Sequence, residues 1–453
     1  MPSVDKVARS KSDDPMMDML KTLILIVASI SFLVFVALFG RLPVFRKTPV
    51  GWCYRLLMVY LPNALVGLDE KLTGRRITRT TTRVYNYLMY DRHPVVLIIF
   101  VLLQLGSELL FLPPAWTYIP SNVQRYLVLP VLITLPYSTL YLSYSTSSHH
   151  ITPESYPQAL TRYPYDYTLY HPHRMCRTCH YPKPARSKHC PICKACIERQ
   201  DHHCIWINNC VGLHNYHYFI ALLVTVAALL GYGALTGFGI LEKILQEMFV
   251  PRRLTAGSLT NKRWSTGLSW MEYFNAYTVC LATNARIGAV TLLASMTCPL
   301  ALGFLVYHAY LIWAGTTTNE TAKWSDLRED IQDDLVWQAR IDDVKTEYPG
   351  PLDEKIVYDS RNFRDATSRS GQVPSWGYGR KAHWWIIRTR GGVNPTRWKP
   401  LEGQYESSGR QKVEEVIDER WKRVKSLDEI DNLYDLGLVG NFKDGLLRPW
   451  RDV

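Results

Sequence analysis

Long apolar runs alternate with polar stretches along this chain, and the runs have the length of bilayer crossings. Residues 19–40 are almost wholly apolar, with Lys21 close enough to the start to snorkel. At about 1.5 Å per residue such a run spans a hydrocarbon core of about 30 Å. Further runs lie at about 94–112, 126–145, 216–241 and 287–313. The pattern predicts an α-helical polytopic membrane protein of about five spans. A cleavable signal peptide is the rival reading of the first run. Against it, residues 1–18 are not clearly basic, and the run exceeds the usual apolar stretch of about 7 to 15 residues.

Charge orients these spans. Residues 41–93 carry ten Lys or Arg against Asp69, Glu70 and Asp91, so the positive-inside rule makes them a cytosolic basic loop. The tail 1–18 is then lumenal, and 19–145 hold the first three spans. Residues 146–215 are cytosolic, 216–313 hold the last two spans with a lumenal loop at 242–286, and 314–453 form a cytosolic tail. Gln104 and Glu108 interrupt the second span, where polar residues face other helices or a cavity. The net charge of +12 suits nucleic acid, an anionic membrane face or an anionic cofactor such as coenzyme A. With spans present, nucleic acid is the least fitting of the three.

Seven of the ten cysteines fall between Cys176 and Cys210. Two Cys-x-x-Cys pairs, Cys176/Cys179 and Cys190/Cys193, each place two sulfurs where both reach a tetrahedral Zn²⁺ at about 2.3 Å. Cys196, Cys204 and Cys210, with His180, His189, His202 and His203, bring the candidates to eleven for eight positions. At least one sulfur is therefore spare, and a spare thiol beside histidines is a nucleophile rather than a ligand. Asp201-His202-His203-Cys204 offers an imidazole to take a thiol proton and a carboxylate to hold that imidazole. Sulfurs at metal-ligand spacing imply a reducing compartment, which agrees with the cytosolic placement of 146–215.

The array resembles the cysteine-rich domain of the DHHC protein S-acyltransferases. The matching residues are Cys176-x2-Cys179, Lys183-Pro184-x-Arg186, His189-Cys190-x2-Cys193-x2-Cys196, Asp201-His202-His203-Cys204, Trp206, Asn209-Cys210-Val211-Gly212 and Asn215. The resemblance implies one zinc on Cys176, Cys179, His189 and Cys196, and a second on Cys190, Cys193, His203 and Cys210. It implies Cys204 as the acyl-accepting nucleophile, His202 as its base and Asp201 as the group orienting His202. Thr317-Thr318-Asn319-Glu320 matches the family's T-T-x-E motif, which implies that Thr318 bonds near Asp201 and His202. The bland reading of the same residues is a helix terminus rich in capping groups. Residues 432–442 resemble a C-terminal element in which Asn441 and Tyr434 would brace the catalytic domain. Ile205 stands where the family commonly has Pro. That form resembles the fungal, endoplasmic-reticulum branch, whose substrates include SNARE-type membrane proteins with a membrane-proximal cysteine.

The expected function is transfer of a long-chain acyl group from acyl-CoA, such as palmitoyl-CoA, to protein cysteines through Cys204, with two structural zincs. Arg186, Lys188, Lys194 and Arg199 are candidates for CoA phosphates. The acyl chain is expected among the spans. The alternative is a membrane-anchored zinc scaffold or ubiquitin-ligase-like adaptor, although the closing Cys-x-x-Cys pair of a RING domain is absent after Cys196. In the tail, Trp324, Leu327, Ile331 and Leu335, and again Val413, Val416, Ile417, Trp421 and Val424, recur at helical spacing and predict amphipathic helices.

Overall fold

The computed structural model describes residues 47–147, 149–172, 174–254, 270–344, 383–389, 392–405 and 411–447, with Ser29, Phe32, Leu33 and Val36 besides. The predicted span 19–40 lies outside the described residues except at those four positions, which are helical.

Two units divide the chain, Met1–Asp91 and Arg92–Val453. In the first, the expected basic loop is largely helical. Helix α1 (Pro49–Arg55) passes through a π turn into α2 (Leu61–Thr73), and α3 (Arg76–Tyr90) follows. Pro49 occupies the first turn of its helix, where no helical hydrogen bond is lost. Gly74, at φ 65°, ends α2 in the left-handed conformation. Asp69 joins α2 to α3 by accepting from the Thr78 N–H at 2.7 Å and the Thr78 hydroxyl at 2.6 Å. Charge bias reads on which side of a membrane a segment lies, not how it is folded.

Among the described residues of the second unit, α4 (Val95–Ala115), α5 (Leu129–Ser145), α7 (Tyr216–Leu254) and α9 (Ala285–Trp313) supply four helices long and apolar enough to cross a membrane. The short α6 (Tyr156–Arg162) lies between α5 and the cysteine-rich region. Helix α7 packs on both α5 and α9. A Cβ at Gly237 would stand 2.0 Å from the Thr291 hydroxyl, so the close α7–α9 crossing requires glycine there. The polar pair in α4 has a packing role: Gln104 donates to Glu108 at 3.1 Å, and the Tyr137 hydroxyl of α5 donates to Glu108 at 2.9 Å. Much of the expected loop 242–286 is also helical, since α7 continues to Leu254 and α8 spans Trp270–Thr283. Ile244 and Leu245 extend the apolar stripe of Leu241 and pack with Phe111, Ala115, Cys280 and Ile287, which gives that extension a buried face.

Two small antiparallel hairpins carry the cysteine array: β1 (Lys188–Cys190) with β2 (Ala195–Ile197), and β3 (His202–Cys204) with β4 (Asn209–Val211). Beyond the last span come α10 (Thr318–Gln332), β5 (Val336–Arg340) and the one-turn α11 (Ile341–Val344). Strand β6 (Trp384–Arg388), the hairpin β7 (Thr396–Tyr405) with β8 (Gln411–Ile417), β9 (Lys422–Arg423) and α12 (Gly437–Phe442) complete the described chain. Strands β6, β5 and β9 form one sheet.

The expected helix around 413–424 is corrected here. Residues 411–417 are a strand, and Trp421 and Val424 are buried beside β9. Helical spacing over so short a run does not exclude a strand of β-branched residues. The first tail stripe does form a helix, α10, which buries Leu327 and Ile331 and ends before Leu335. The tail is not loosely attached. Leu327, Ile331, Val336, Ile386, Val424 and Tyr434 share one core with Tyr163, Leu169, Tyr170, Ala185 and Leu213 around the cysteine array.

Candidate active site

Each Cys-x-x-Cys pair is a tight turn in which the second cysteine's N–H approaches the first sulfur at 3.4 Å. The following residues, His180 and Lys194, take the left-handed conformation at φ 57° and 56°. The turns converge with residues of the hairpins into two four-residue clusters. Cys176, Cys179, His189 and Cys196 form one, and Cys190, Cys193, His203 and Cys210 the other, all ligand atoms of each lying within 4.8 Å of one another. In the second, the His203 Nδ1 lies 3.6, 3.4 and 3.6 Å from the sulfurs of Cys190, Cys193 and Cys210. In the first, His189 Nδ1 lies 3.3 Å from Cys179 and 3.9 Å from Cys196. A tetrahedral ion with bonds of about 2.0 to 2.3 Å needs ligand separations of about 3.4 to 3.8 Å. The donor sets fit such an ion.

Cys204 belongs to neither cluster. Strand pairing explains why: in register, His203 faces Cys210 while Cys204 faces Asn209, so alternation sends the His203 and Cys204 side chains to opposite faces. Cys204 is 7 % exposed and packs with Leu140 of α5, Phe219 and Leu222 of α7 and Ile312 of α9. The thiol thus sits at the apolar ends of three spanning helices.

His202 shares the Cys204 face. Its Nδ1 lies 2.7 Å from Asp201 Oδ2, and Asp201 Oδ1 accepts the Thr318 N–H at 2.9 Å. Burial disfavours charge on His202, but the bond to Asp201, with the Cys204 thiol close by, outweighs it and pushes the imidazole up to about 9. Burial would also raise the Asp201 carboxyl; the bond and charge of His202 hold it below the usual carboxylate value. Asp201 is therefore an anchored anion and His202 an imidazole of increased basicity.

The two readings of Thr317–Glu320 prove compatible. Thr317 accepts from the Glu320 N–H at 3.2 Å while the Glu320 carboxylate accepts from the Thr317 N–H at 3.0 Å, a capping box that starts α10. The same cap presents Thr318 to Asp201. It is the Thr318 backbone that makes this bond. Gly315, at φ 62°, leads into the cap; a Cβ there would meet Asp435 and Tyr434 backbone at 2.8 and 2.9 Å and the Asn441 side chain at 2.9 Å. Asn441 in turn donates to the Trp313 carbonyl at 3.0 Å, and the Tyr434 hydroxyl donates to the Pro164 carbonyl at 2.8 Å.

One expectation is overturned. Arg186 is 1 % exposed and carries a bidentate pair to Glu320 at 2.8 and 2.6 Å, with further bonds to Asp444 at 3.3 Å and the Gly315 carbonyl at 3.2 Å. Tyr163 and Tyr434 flank its guanidinium at 5.1 and 4.6 Å. Every face is occupied, so no CoA phosphate reaches it. Arg199 is likewise buried, beside Asp444 and Tyr216. Lys188 and Lys194 remain on the surface. Replacing Arg186 by Met is expected to destabilise the protein by about 3–5 kcal/mol, because Glu320 and Asp444 lose a buried partner; thermal unfolding of the purified variant measures this.

Sequence reasoning missed His308 on α9. It is 2 % exposed, and its ring nitrogen groups with Asp201 and His202 within 4.8 Å. A lone imidazole in a spanning segment was the available signal.

A match to the family described as DHHC palmitoyltransferase covers residues 169–325. Across 432 residues, 94 % of this chain and 96 % of the relative, the chain is 40 % identical to palmitoyltransferase swf1 of Emericella nidulans. The chain belongs to the DHHC palmitoyltransferase family. It is also 31 % identical to palmitoyltransferase swf1 of Schizosaccharomyces pombe over 71 % of this chain and 85 % of that one. Against palmitoyltransferase ZDHHC4 of Rattus norvegicus it is 30 % identical over 59 % and 76 %. As a DHHC protein S-palmitoyltransferase, the chain carries its four-residue signature on β3 and the turn before it, where the hairpin meets the spanning helices.

Proposed function

We propose that this enzyme works by a two-step transfer through Cys204. Cys204, deprotonated with the help of His202, attacks the thioester carbonyl of a long-chain acyl-CoA; the C–S bond to CoA breaks, and the proton passes to the departing CoA thiolate. The acylated Cys204 then gives its acyl group to the thiol of a protein cysteine, regenerating the enzyme thiol. Splitting one transfer into two is the logic of covalent catalysis. One observation carries the reading. Six of the seven clustered cysteines close two four-ligand sets, and the seventh stands on the other strand face with His202 and the spans.

In this reading both clusters hold structural Zn²⁺, since four protein ligands leave no open position for water or substrate. They build a cytosolic domain that has little apolar core of its own. Leu140, Phe219, Leu222 and Ile312 around Cys204 receive the start of the acyl chain, where each buried CH₂ contributes about 0.8 kcal/mol. Lys188 is retained as a surface contact for CoA phosphate. The substrates are membrane proteins with membrane-proximal cysteines, SNAREs among them. The protein resides in the endoplasmic reticulum, with its N-terminus lumenal and the zinc domain and tail cytosolic.

The test is intact-protein mass spectrometry after incubation with palmitoyl-CoA. A hydroxylamine-labile gain of one palmitoyl group, mapped to the Cys204 peptide, is the expected result. No gain on zinc-replete protein would favour a scaffold instead. Replacing Asp201 by Asn is expected to lower the rate of that gain by about 10²–10⁴, since the wrong His tautomer is then stabilised; quench-flow sampling of the acyl-enzyme reads it.

A further inference from the structure

His308 lies outside the four-residue signature, yet its ring completes the packing around His202. The His202 and His308 centroids are 5.9 Å apart at 37°. Phe219 meets both edge-on, at 5.4 Å from His202 and 5.1 Å from His308. His308 is itself fixed, because its Nδ1 shares a hydrogen bond of 3.2 Å with the Tyr216 hydroxyl, and Tyr216 lies under the Arg199 guanidinium at 5.1 Å. Asp201 constrains His202 at one atom, Nδ1. A single hydrogen bond leaves an imidazole free to swing about that bond, and aromatic neighbours at fixed angles remove the remaining freedom.

We propose that His308 is a positioning residue for the base: packed with Phe219, it holds the His202 ring in the plane from which the other nitrogen faces the Cys204 thiol. This rests on the assignment of Cys204 and His202 above. His308 acts through His202.

The experiment compares full-length wild type with His308→Ala, His308→Phe and Tyr216→Phe, each checked for two bound zincs. Two rates are measured: single-turnover acylation by palmitoyl-CoA, and alkylation of Cys204 by iodoacetamide without acyl-CoA. His308→Ala is expected to slow both by roughly ten- to a hundred-fold, the penalty of a misplaced catalytic group. The half-saturating palmitoyl-CoA concentration should stay within about two-fold, since substrate binding is not what has been removed. His308→Phe restores a ring and should recover most of both rates; Tyr216→Phe should fall between. Wild-type rates in His308→Ala overturn the proposal, as do equal defects in the Ala and Phe variants, which would make the ring packing irrelevant. If His308→Ala loses zinc, Tyr216→Phe decides, and unchanged rates there overturn it. The alkylation arm needs no acyl transfer, so failure of the wild type to acylate counts against the Cys204 reading and not against His308.

Discussion

Cys204→Ser is expected to remove the acyl-enzyme entirely while leaving two zincs bound and the fold intact. Removal of a nucleophile from a catalytic group that acts as a unit costs about 10⁶ in rate, below the detection of any mass or label assay. The structural half of the prediction follows from the strand register. Cys204 pairs with Asn209 and His203 with Cys210, so the substitution changes one atom on the face away from the metal clusters. The thiol is buried among apolar side chains of three helices, and a hydroxyl of nearly the same size does not disturb that packing. Metal analysis and acyl incorporation on one sample separate the two outcomes. Loss of zinc together with activity would place Cys204 among the ligands and overturn the division of the seven sulfurs.

Cys190→Ser is expected to do the reverse and unfold the cysteine-rich region. Cys190 begins one knuckle, accepts the Cys193 N–H at 3.4 Å and lies 3.6 Å from His203 Nδ1. Structural zinc contributes about 10–16 kcal/mol in small zinc domains. Here the hairpin strands are three residues long, short enough that an ion held in the clusters would be needed to keep them paired. The His203 lost from its site is also the neighbour of His202, so activity should vanish with the metal. Zinc content should drop by at least one equivalent, and limited proteolysis should open within 176–210. The unfolding midpoint should fall by about 10 °C or more, at about 2–4 °C per kcal/mol. Prolonged treatment with a strong chelator should reproduce the effect in wild type. A Cys190→Ser protein that keeps two zincs and resists protease would overturn it.

What could be read from the sequence was whatever depended on local spacing. Cys-x-x-Cys places two sulfurs on one turn wherever it occurs, and Asp201 through Cys204 are neighbours in any fold. The apolar runs that became α4, α5, α7 and α9 are set by bilayer thickness, which the sequence need only match. The illegible part lay in contacts across the chain. Nothing near Arg186 signals that its partners are Glu320 and Asp444, so a buried ion pair looked like a phosphate ligand. His308 stands 106 positions from His202, and only the fold brings the rings together. Residues 413–424 failed for another reason: a few apolar positions at helical spacing do not exclude a strand, and pairing of 413–417 with β7 decided the matter. The basic segment 41–93 was assigned by charge, which carries no information on whether the backbone is helical.

The buried Arg186 joins residues that emerge from the ribosome at widely different times. Its partners Glu320 and Asp444 are separated from it by 134 and 258 positions. At about 5–20 residues per second, Asp201–Cys204 precede Asp444 by roughly 10–50 s, the time before the second acidic partner of Arg186 exists. A chain stopped between Glu320 and Asp444 is therefore left with an incomplete core and an Arg186 that keeps Glu320 but lacks Asp444. The tail is thus part of the core that supports the cysteine-rich region, and removing it takes away a partner of Arg186.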